Sequence, residues 1–343
     1  MITKREFGTT HSGETVYAYD LTDGGNVATI ITYGAILQRL VVPDRAGKPT
    51  SVLLGQDCVA GYEDNGGCLG AIIGRFANRI QNGKFTLEGK EITLTQNERG
   101  NHKHGGAKGF NKRVWQAEPQ GDTLLLTYLS KDGEEGYPGS LKTEVRYSFQ
   151  GGELKIFYRA VSDKTTVVNL TNHAYFNLNG EGNGNILNNE LQIFSDSISP
   201  TNEEQVPVGG FLPVAGTPFD FTCPKEIGRD IGNESTDLKY GNGYDHSFLL
   251  RGKGYRRFAV ATGKQTGITM ECYTDLPAVQ FYSGNGLHQE GRKGYYGART
   301  GFCLETQLIP NNVNVPEYAE KGSSVLRAGE VFASETAYRF FVK

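Results

Sequence analysis

Between Leu141 and Ala160 the chain switches between apolar and polar residues with a period of two. Leu141, Thr143, Val145, Tyr147 and Phe149 interleave with Lys142, Glu144, Arg146, Ser148 and Gln150, the pattern of a strand with one buried face. Gly151-Gly152 reads as a two-residue turn. Leu154, Ile156, Tyr158 and Ala160 then alternate with Glu153, Lys155, Phe157 and Arg159, which predicts the second strand of a β-hairpin. Further short β-rich runs are predicted at Val27 to Ile31, Ile36 to Val42, Leu124 to Tyr128, Ile268 to Tyr273, Val279 to Tyr282 and Thr336 to Val342. No long segment carries a helical stripe, so an all-β fold is expected, a large antiparallel sandwich or barrel. Gly pairs at 24-25, 66-67, 105-106, 151-152 and 209-210 imply many turns without a fixed repeat. Gly180 to Asn185 is Gly-rich, but its spacing matches no phosphate-binding fingerprint, and it reads as a loop. No linker or charge run divides the chain, so residues 1–343 are read as one domain.

Composition narrows the functional classes. Lys and Arg total 35 against 38 Asp and Glu, a formal charge of −3 without a basic block, which argues against nucleic-acid or membrane-surface binding. The N-terminus turns charged where a signal peptide needs its apolar run, so a cytoplasmic protein is expected. Cys58, Cys68, Cys223, Cys272 and Cys303 form no CxxC pair and are read as reduced, buried residues.

Candidate chemistry gathers in a few segments. In Asn169-Leu-Thr-Asn-His-Ala-Tyr-Phe-Asn-Leu-Asn-Gly180, His173 follows a β-branched run and sits among amides able to fix a turn and to bond a polar ligand. It is either an acid/base group or a core histidine satisfied by its neighbours. In Asn101-His-Lys-His-Gly-Gly106, His102 and His104 would share a face if extended and offer two imidazoles to a metal. No glutamate follows and Lys103 adds positive charge, so no metal is expected. The other reading has His104 facing a pocket floored by Gly105 and Gly106. Asp245 and Glu305 stand among apolar and aromatic residues. Each carboxylate either takes a structural partner or has its basicity raised for proton transfer. Arg79 is a candidate partner, and its guanidinium beside carboxylates and amides also suits a ligand rich in hydroxyls.

Several of these segments, in order, resemble the aldose 1-epimerases, also called galactose mutarotases. The resemblance rests on Ile31-Thr-Tyr-Gly-Ala35, Val42-Pro-Asp-Arg45, Gly74-Arg-Phe-Ala-Asn-Arg-Ile80, Asp132-Gly-Glu-Glu-Gly-Tyr-Pro-Gly139, Asn169-Leu-Thr-Asn-His173, Tyr244-Asp-His246, Val279-Gln-Phe-Tyr282 and Leu304-Glu-Thr-Gln307. It implies an antiparallel supersandwich with an open sugar cleft and interconversion of the α and β anomers of a free hexose, without metal or organic cofactor. By motif, Glu305 resembles the general base, His173 the general acid and His104 a supporting group at the ring oxygen. Arg79, Asn78, Asp245 and Gln280 resemble sugar-binding residues. The implied partner is a small monosaccharide, with neither nucleic acid nor membrane, and the implied assembly is a monomer or homodimer. Lys103 stands where the family usually has an apolar residue, and Asn311-Asn312 where Asp and a small residue are usual; both are expected at the cleft rim.

The implied reaction moves one proton off the anomeric hydroxyl as another reaches the ring oxygen, and a carboxylate with an imidazolium supplies both. Their ordinary pKa values already suit those roles. Three alternatives stay open. A glycoside hydrolase normally pairs two carboxylates. A sugar-binding module needs no acid/base pair. A hexose-6-phosphate epimerase needs a basic patch, and no extra Lys/Arg cluster flanks the motifs.

Overall fold

The computed structural model describes all residues 1–343, and it is built from antiparallel sheets. A five-stranded sheet at the N-terminus runs in sequence order through Ile2–Thr9, Thr15–Asp23, Asn26–Ile31, Leu37–Pro43 and Pro49–Ser51. A nine-stranded sheet holds the predicted hairpin, Leu141–Gln150 with Glu153–Ser162, next to Val331–Val342 and Ile268–Thr274. A second five-stranded sheet has the order Leu212–Pro213, Ser195–Ser199, Asp245–Leu250, Ala278–Tyr282 and Cys303–Gln307. The longest α-helix, Thr236–Gly241, has 6 residues, in keeping with the missing helical stripe. No helix is long and apolar enough to cross a membrane.

The hairpin forms in the predicted register, with Gln150 opposite Glu153. Both turn residues have positive φ, 58° at Gly151 and 74° at Gly152, the requirement of the turn whose twist matches the flanking strands. The other predicted strands are present within a residue or two, except that the last begins at Val331 rather than Thr336. Val331 to Glu335 pair with Val161 to Phe157, and an exposed Val331 hides the alternation. Ile2–Thr9 escapes prediction because it is a mostly exposed edge strand with little apolar signal. The cysteines are all free as expected, but only Cys272 and Cys303 are buried; Cys58 and Cys223 are exposed and Cys68 is partly so. These three stand in loops or beside short helices, where no strand period places them.

A core of 54 residues joins the sheets, drawing Leu37 and Leu40 from the first, Tyr147, Ile156 and Met270 from the second, and Val279, Phe281 and Leu304 from the third. Ala278–Tyr282 is buried on both faces apart from Tyr282, and Cys303–Gln307 is buried throughout. One face of each packs into this core, and the other meets polar residues.

The segment Gly74 to Ile80 is fixed to the nine-stranded sheet through Arg75, which is 1% exposed. Its Nη1 donates to the carbonyls of Pro138 at 3.0 Å and Gly139 at 2.8 Å, and its Nη2 to Ser130 Oγ at 2.6 Å and the Ser130 carbonyl at 3.2 Å. Removing the guanidinium leaves several buried acceptors without a donor. Arg75→Met is expected to lower stability by about 3 kcal/mol, read as a reduced midpoint in urea unfolding.

Candidate active site

Strand pairing decides which side chains meet. Ser247, Gln280 and Glu305 are cross-strand neighbours, and Asp245, Tyr282 and Cys303 form the next row two residues along. With a side-chain period of two, both rows project from one face of the sheet. The short strand Thr171–Asn172 packs against Cys303–Gln307 and delivers His173 to that face. His173 is held through its backbone, its N–H donating to the Ala71 carbonyl and its carbonyl accepting from Gly70, each at 2.9 Å. The amides around it are spent on the fold. Asn172 Nδ2 donates to the Gly70 carbonyl at 2.7 Å, Asn169 spans both backbone groups of Leu308, and Asn177 reaches Gly184 and Thr300. Their predicted turn-fixing role is seen, and none lines the cleft.

The cleft has a volume of about 670 Å³, within the range of small-ligand sites of roughly 300–1,000 Å³. Glu305, His173, His104, Asn78, Arg79 and Asp245 all line it. Glu305 Oε1 lies 3.6 Å from His173 Nε2, while Glu305 Oε2 is buried without a partner. The His173 ring stacks on Tyr175 with centroids 4.9 Å apart, meets His104 edge-on at 5.2 Å, and has Cys303 Sγ 3.4 Å from its Nδ1. His104 accepts a hydrogen bond at Nδ1 from the Asn78 amide at 3.2 Å, so its ring proton sits on Nε2. His104 itself has φ +52°, and Gly105 behind it packs so closely that a Cβ would lie 1.8 Å from the Gly74 carbonyl oxygen. Of the two predicted floor glycines, only Gly106 lines the cleft.

Arg79, 2% exposed, gives a bidentate pair to Glu98 at 3.0 and 3.1 Å, bonds Gln205 Oε1 at 3.1 Å, and stands 4.0 Å from Asp245. Asn78 bonds the Arg79 amide through Oδ1 at 2.9 Å. Gln280 sits one layer back: it does not line the cleft, its Nε2 donates to Asp245 Oδ1 at 2.7 Å, and its Oε1 is buried without a partner. Gln280 thus supports Asp245 rather than lining the cleft, its amide drawn to the Asp245 carboxylate on the neighbouring strand, while Glu305 of the same row does reach the cleft.

Electrostatics depart from the expectation that ordinary pKa values suffice. Burial, with Asp245 nearby, pushes the Glu305 carboxyl well above the usual range; burial, then Lys103, pushes His173 down to about 4. His104 is likewise held well below its ordinary value, first by burial and next by Lys103. Both shifts favour the neutral forms, a carboxylic acid beside an imidazole, over an ion pair.

His102 and His104, whose pairing at a metal is the less favoured reading of the sequence, do not face a common site. His102 is fully buried, with Nδ1 at 2.6 Å from the Thr95 carbonyl and Nε2 at 2.6 Å from the Tyr137 hydroxyl, so both nitrogens are occupied. One ligand-type atom from each of His104, His173 and Glu305 does lie within 4.8 Å of the others. Lys103 and Arg79 place positive charge on this group, which opposes a cation there. Lys103 lines the cleft as expected, 3.9 Å from Glu98, and Arg99 and Lys112 join it on the lining, cations that the motifs did not reveal. Asn311 and Asn312 are not on the rim. Both are buried, Asn311 bonding Gln81 and Pro207 and Asn312 bonding Gly322 and Ser324. Sequence reasoning also missed Glu98 and Gln205, which lie 19 and 126 residues from the arginine they hold.

A carboxyl and an imidazole face each other on the polar face of an antiparallel β-sandwich, a pair able to exchange protons with a ligand. The comparison with known proteins is more specific. A family model described as aldose 1-epimerase matches residues 17–339. A galactose mutarotase from Bos taurus is 40% identical, covering 99% of each chain, and an aldose 1-epimerase from Escherichia coli is 38% identical over 94% of each. The crystal structure of galactose 1-epimerase from Lactobacillus acidophilus superposes with TM-score 0.88 at 28% identity, covering 100% of this chain and 99% of that one. The chain belongs to the aldose 1-epimerase family.

The Arg79 to Glu98 pair yields a test of the site's scaffold. Glu98→Ala leaves a buried guanidinium half-compensated, and it is expected to cost about 2 kcal/mol, less than a fully buried pair because Glu98 is partly exposed. Thermal unfolding of the two proteins checks it.

Proposed function

We propose that this protein is an aldose 1-epimerase acting on free hexoses such as D-galactose and D-glucose, with Glu305 as base and His173 as acid in ring opening. The observation that carries the reading is the 3.6 Å approach of Glu305 Oε1 to His173 Nε2 in a desolvated cleft. Carboxylate Glu305 takes the anomeric hydroxyl proton while imidazolium His173 gives one to the ring oxygen. Rotation about C1 to C2 presents the other face of the aldehyde, and the groups reverse roles as the ring closes. His104, neutral with its proton on Nε2, supports the ring oxygen as a donor. Arg79, Asn78 and Asp245 orient hydroxyls, with Gln280 behind Asp245. Residues 1–343 act as one unit, and the setting is cytoplasmic.

The neutral pair fits this cycle. When the sugar is open, Glu305 carries the proton it removed and His173 has lost the one it gave, which is the state burial favours in the empty site. Ring opening breaks the C1–O5 bond with two proton transfers, and the net change within the pair is one proton moved from His173 to Glu305. Glycosidase chemistry has no counterpart for the histidine here. For a phosphorylated hexose, the cations on the lining are offset by Glu98 and Asp245 and partly engaged, Lys112 with the Ala107 carbonyl at 3.0 Å and Arg99 with the Glu203 carbonyl at 3.4 Å. The mutarotase names among the relatives also favour the free sugar.

Glu305→Gln and His173→Asn are each expected to fold and to lose about two to four powers of ten in rate, followed by polarimetry of freshly dissolved α-D-galactose; near wild-type decay in either removes the assignment. Activity unaffected by a chelator is expected in the same assay. The pH profile follows from the single shared proton. A second proton on His173 leaves no base, and loss of the proton from Glu305 leaves no acid. kcat/KM should therefore be bell-shaped, falling on the acid side near the His173 value of about 4 and on the alkaline side above the ordinary carboxylate range. A profile that instead loses activity below pH 6 would contradict the depressed imidazole.

A further inference from the structure

We propose that Cys303 is a positioning residue for His173, its sulfur accepting the Nδ1–H so that Nε2 remains the nitrogen that exchanges a proton in the cleft. The inference rests on the acid/base reading given above. Cys303 precedes Glu305 by two residues on a fully buried strand, so both project from the same face. One faces each nitrogen of the same ring: Glu305 Oε1 is 3.6 Å from Nε2, and Cys303 Sγ is 3.4 Å from Nδ1. Cys303 is fully buried, so water does not compete for that nitrogen.

The proton count identifies the donor. If His173 gives its proton to the ring oxygen from Nε2, the neutral ring left behind carries its hydrogen on Nδ1, and that hydrogen needs an acceptor in a dry site. The other imidazole is set the opposite way, with Nδ1 accepting from the Asn78 amide and the hydrogen on Nε2. The two histidines of the cleft thus hold opposite tautomers through their neighbours, one a fixed donor and one an exchanger.

The chemistry of sulfur also matters. A carboxylate at Nδ1 would stabilise imidazolium strongly and favour one direction of proton transfer. An uncharged thiol is a weak acceptor and orients the ring with little bias. Burial, then Glu305 and Asp245, keep the Cys303 thiol protonated, so it brings no charge to the ring. That suits a reaction in which the same imidazole must act as acid and then as base. The other groups around the ring are Tyr175 stacked on it, Tyr282 and His104 in T-shaped contact, and the charges of Lys103 and Asp245; its own backbone carbonyl is a second acceptor for a ring N–H, one already bonded to the Gly70 amide.

Cys303→Ala and Cys303→Ser in the full chain separate positioning from packing. Loss of the acceptor should lower kcat about tenfold with KM held within about twofold, and serine, which keeps an acceptor at nearly the same place, should recover most of kcat. A packing role alone predicts the reverse order, because serine sets a hydroxyl in an apolar setting. In parallel, nitrogen NMR of histidine-labelled protein should show His173 in the wild type as the Nδ1–H tautomer, and a mixture of tautomers in Cys303→Ala. Wild-type kcat in Cys303→Ala, serine no better than alanine, or an Nε2–H tautomer in the wild type overturns the proposal. The NMR reading needs no turnover. An inactive wild type with the Nδ1–H tautomer lost on Cys303→Ala would remove the epimerase reading and keep the hydrogen bond.

Discussion

Glu305 and His173 face each other at 3.6 Å in a place that penalises charge on both of them. Each is almost fully buried, and burial is the first cause of the shift in each: upward for the carboxyl, downward for the imidazole. An ion pair at 3.6 Å would have to recover two desolvation costs from a single contact, and the pair relaxes instead to its neutral form. Held this way, the pair rests in its neutral arrangement, and the ionic one lies above it. Much of the surrounding structure serves that arrangement. Cys303–Gln307, buried on both faces, carries the carboxyl, the backbone bonds to Gly70 and Ala71 fix the histidine, and Arg79, Glu98, Asp245 and Lys103 stand as ion-pair partners of one another.

That pairing is clearest around Arg79. A buried guanidinium brings a permanent charge, and Glu98 meets two of its nitrogens while Asp245 lies at 4.0 Å. Those partners offset part of the Arg79 charge, and the remainder still bears on Glu305. Lys103 is near Glu98, which Arg79 already occupies, and it contributes to the lowered values of both cleft histidines. Of the two positions where the sequence departs from the family pattern, only this one reaches the site; Asn311 and Asn312 are taken up by four buried or partly buried contacts within the fold.

The sheets and the site were legible in the sequence to different depths. A period of two announces any strand with one wet face, so the hairpin at 141 to 160 was readable to its turn residues. Ile2–Thr9 was not, since an exposed edge leaves no apolar stripe. Glu305, His173, His104, Asn78, Arg79 and Asp245, carried by separate motifs, line one cleft. What could not be read were relations between segments far apart: Glu98 and Gln205 around Arg79, the retreat of Gln280 behind Asp245, and the enclosure of His102 between Thr95 and Tyr137. Each depends on how the assembled sheets bring segments together, which no local pattern encodes. The pKa values failed for the same reason, since desolvation is a property of the finished cleft and not of the residue type.

The two cleft histidines show how little a residue's identity settles. His104 and His173 meet in a T-shaped contact, and both are depressed by burial, yet different kinds of neighbour stand at their Nδ1 atoms. A backbone amide at Nδ1 of His104 donates, cannot reverse, and leaves that ring a donor into the cleft. A sulfur at Nδ1 of His173 leaves the far nitrogen free to gain and lose a proton. A fixed donor beside an exchanging group is an arrangement that can hold one atom of a ligand while the proton inventory around it changes, and here it follows from one backbone amide and one thiol.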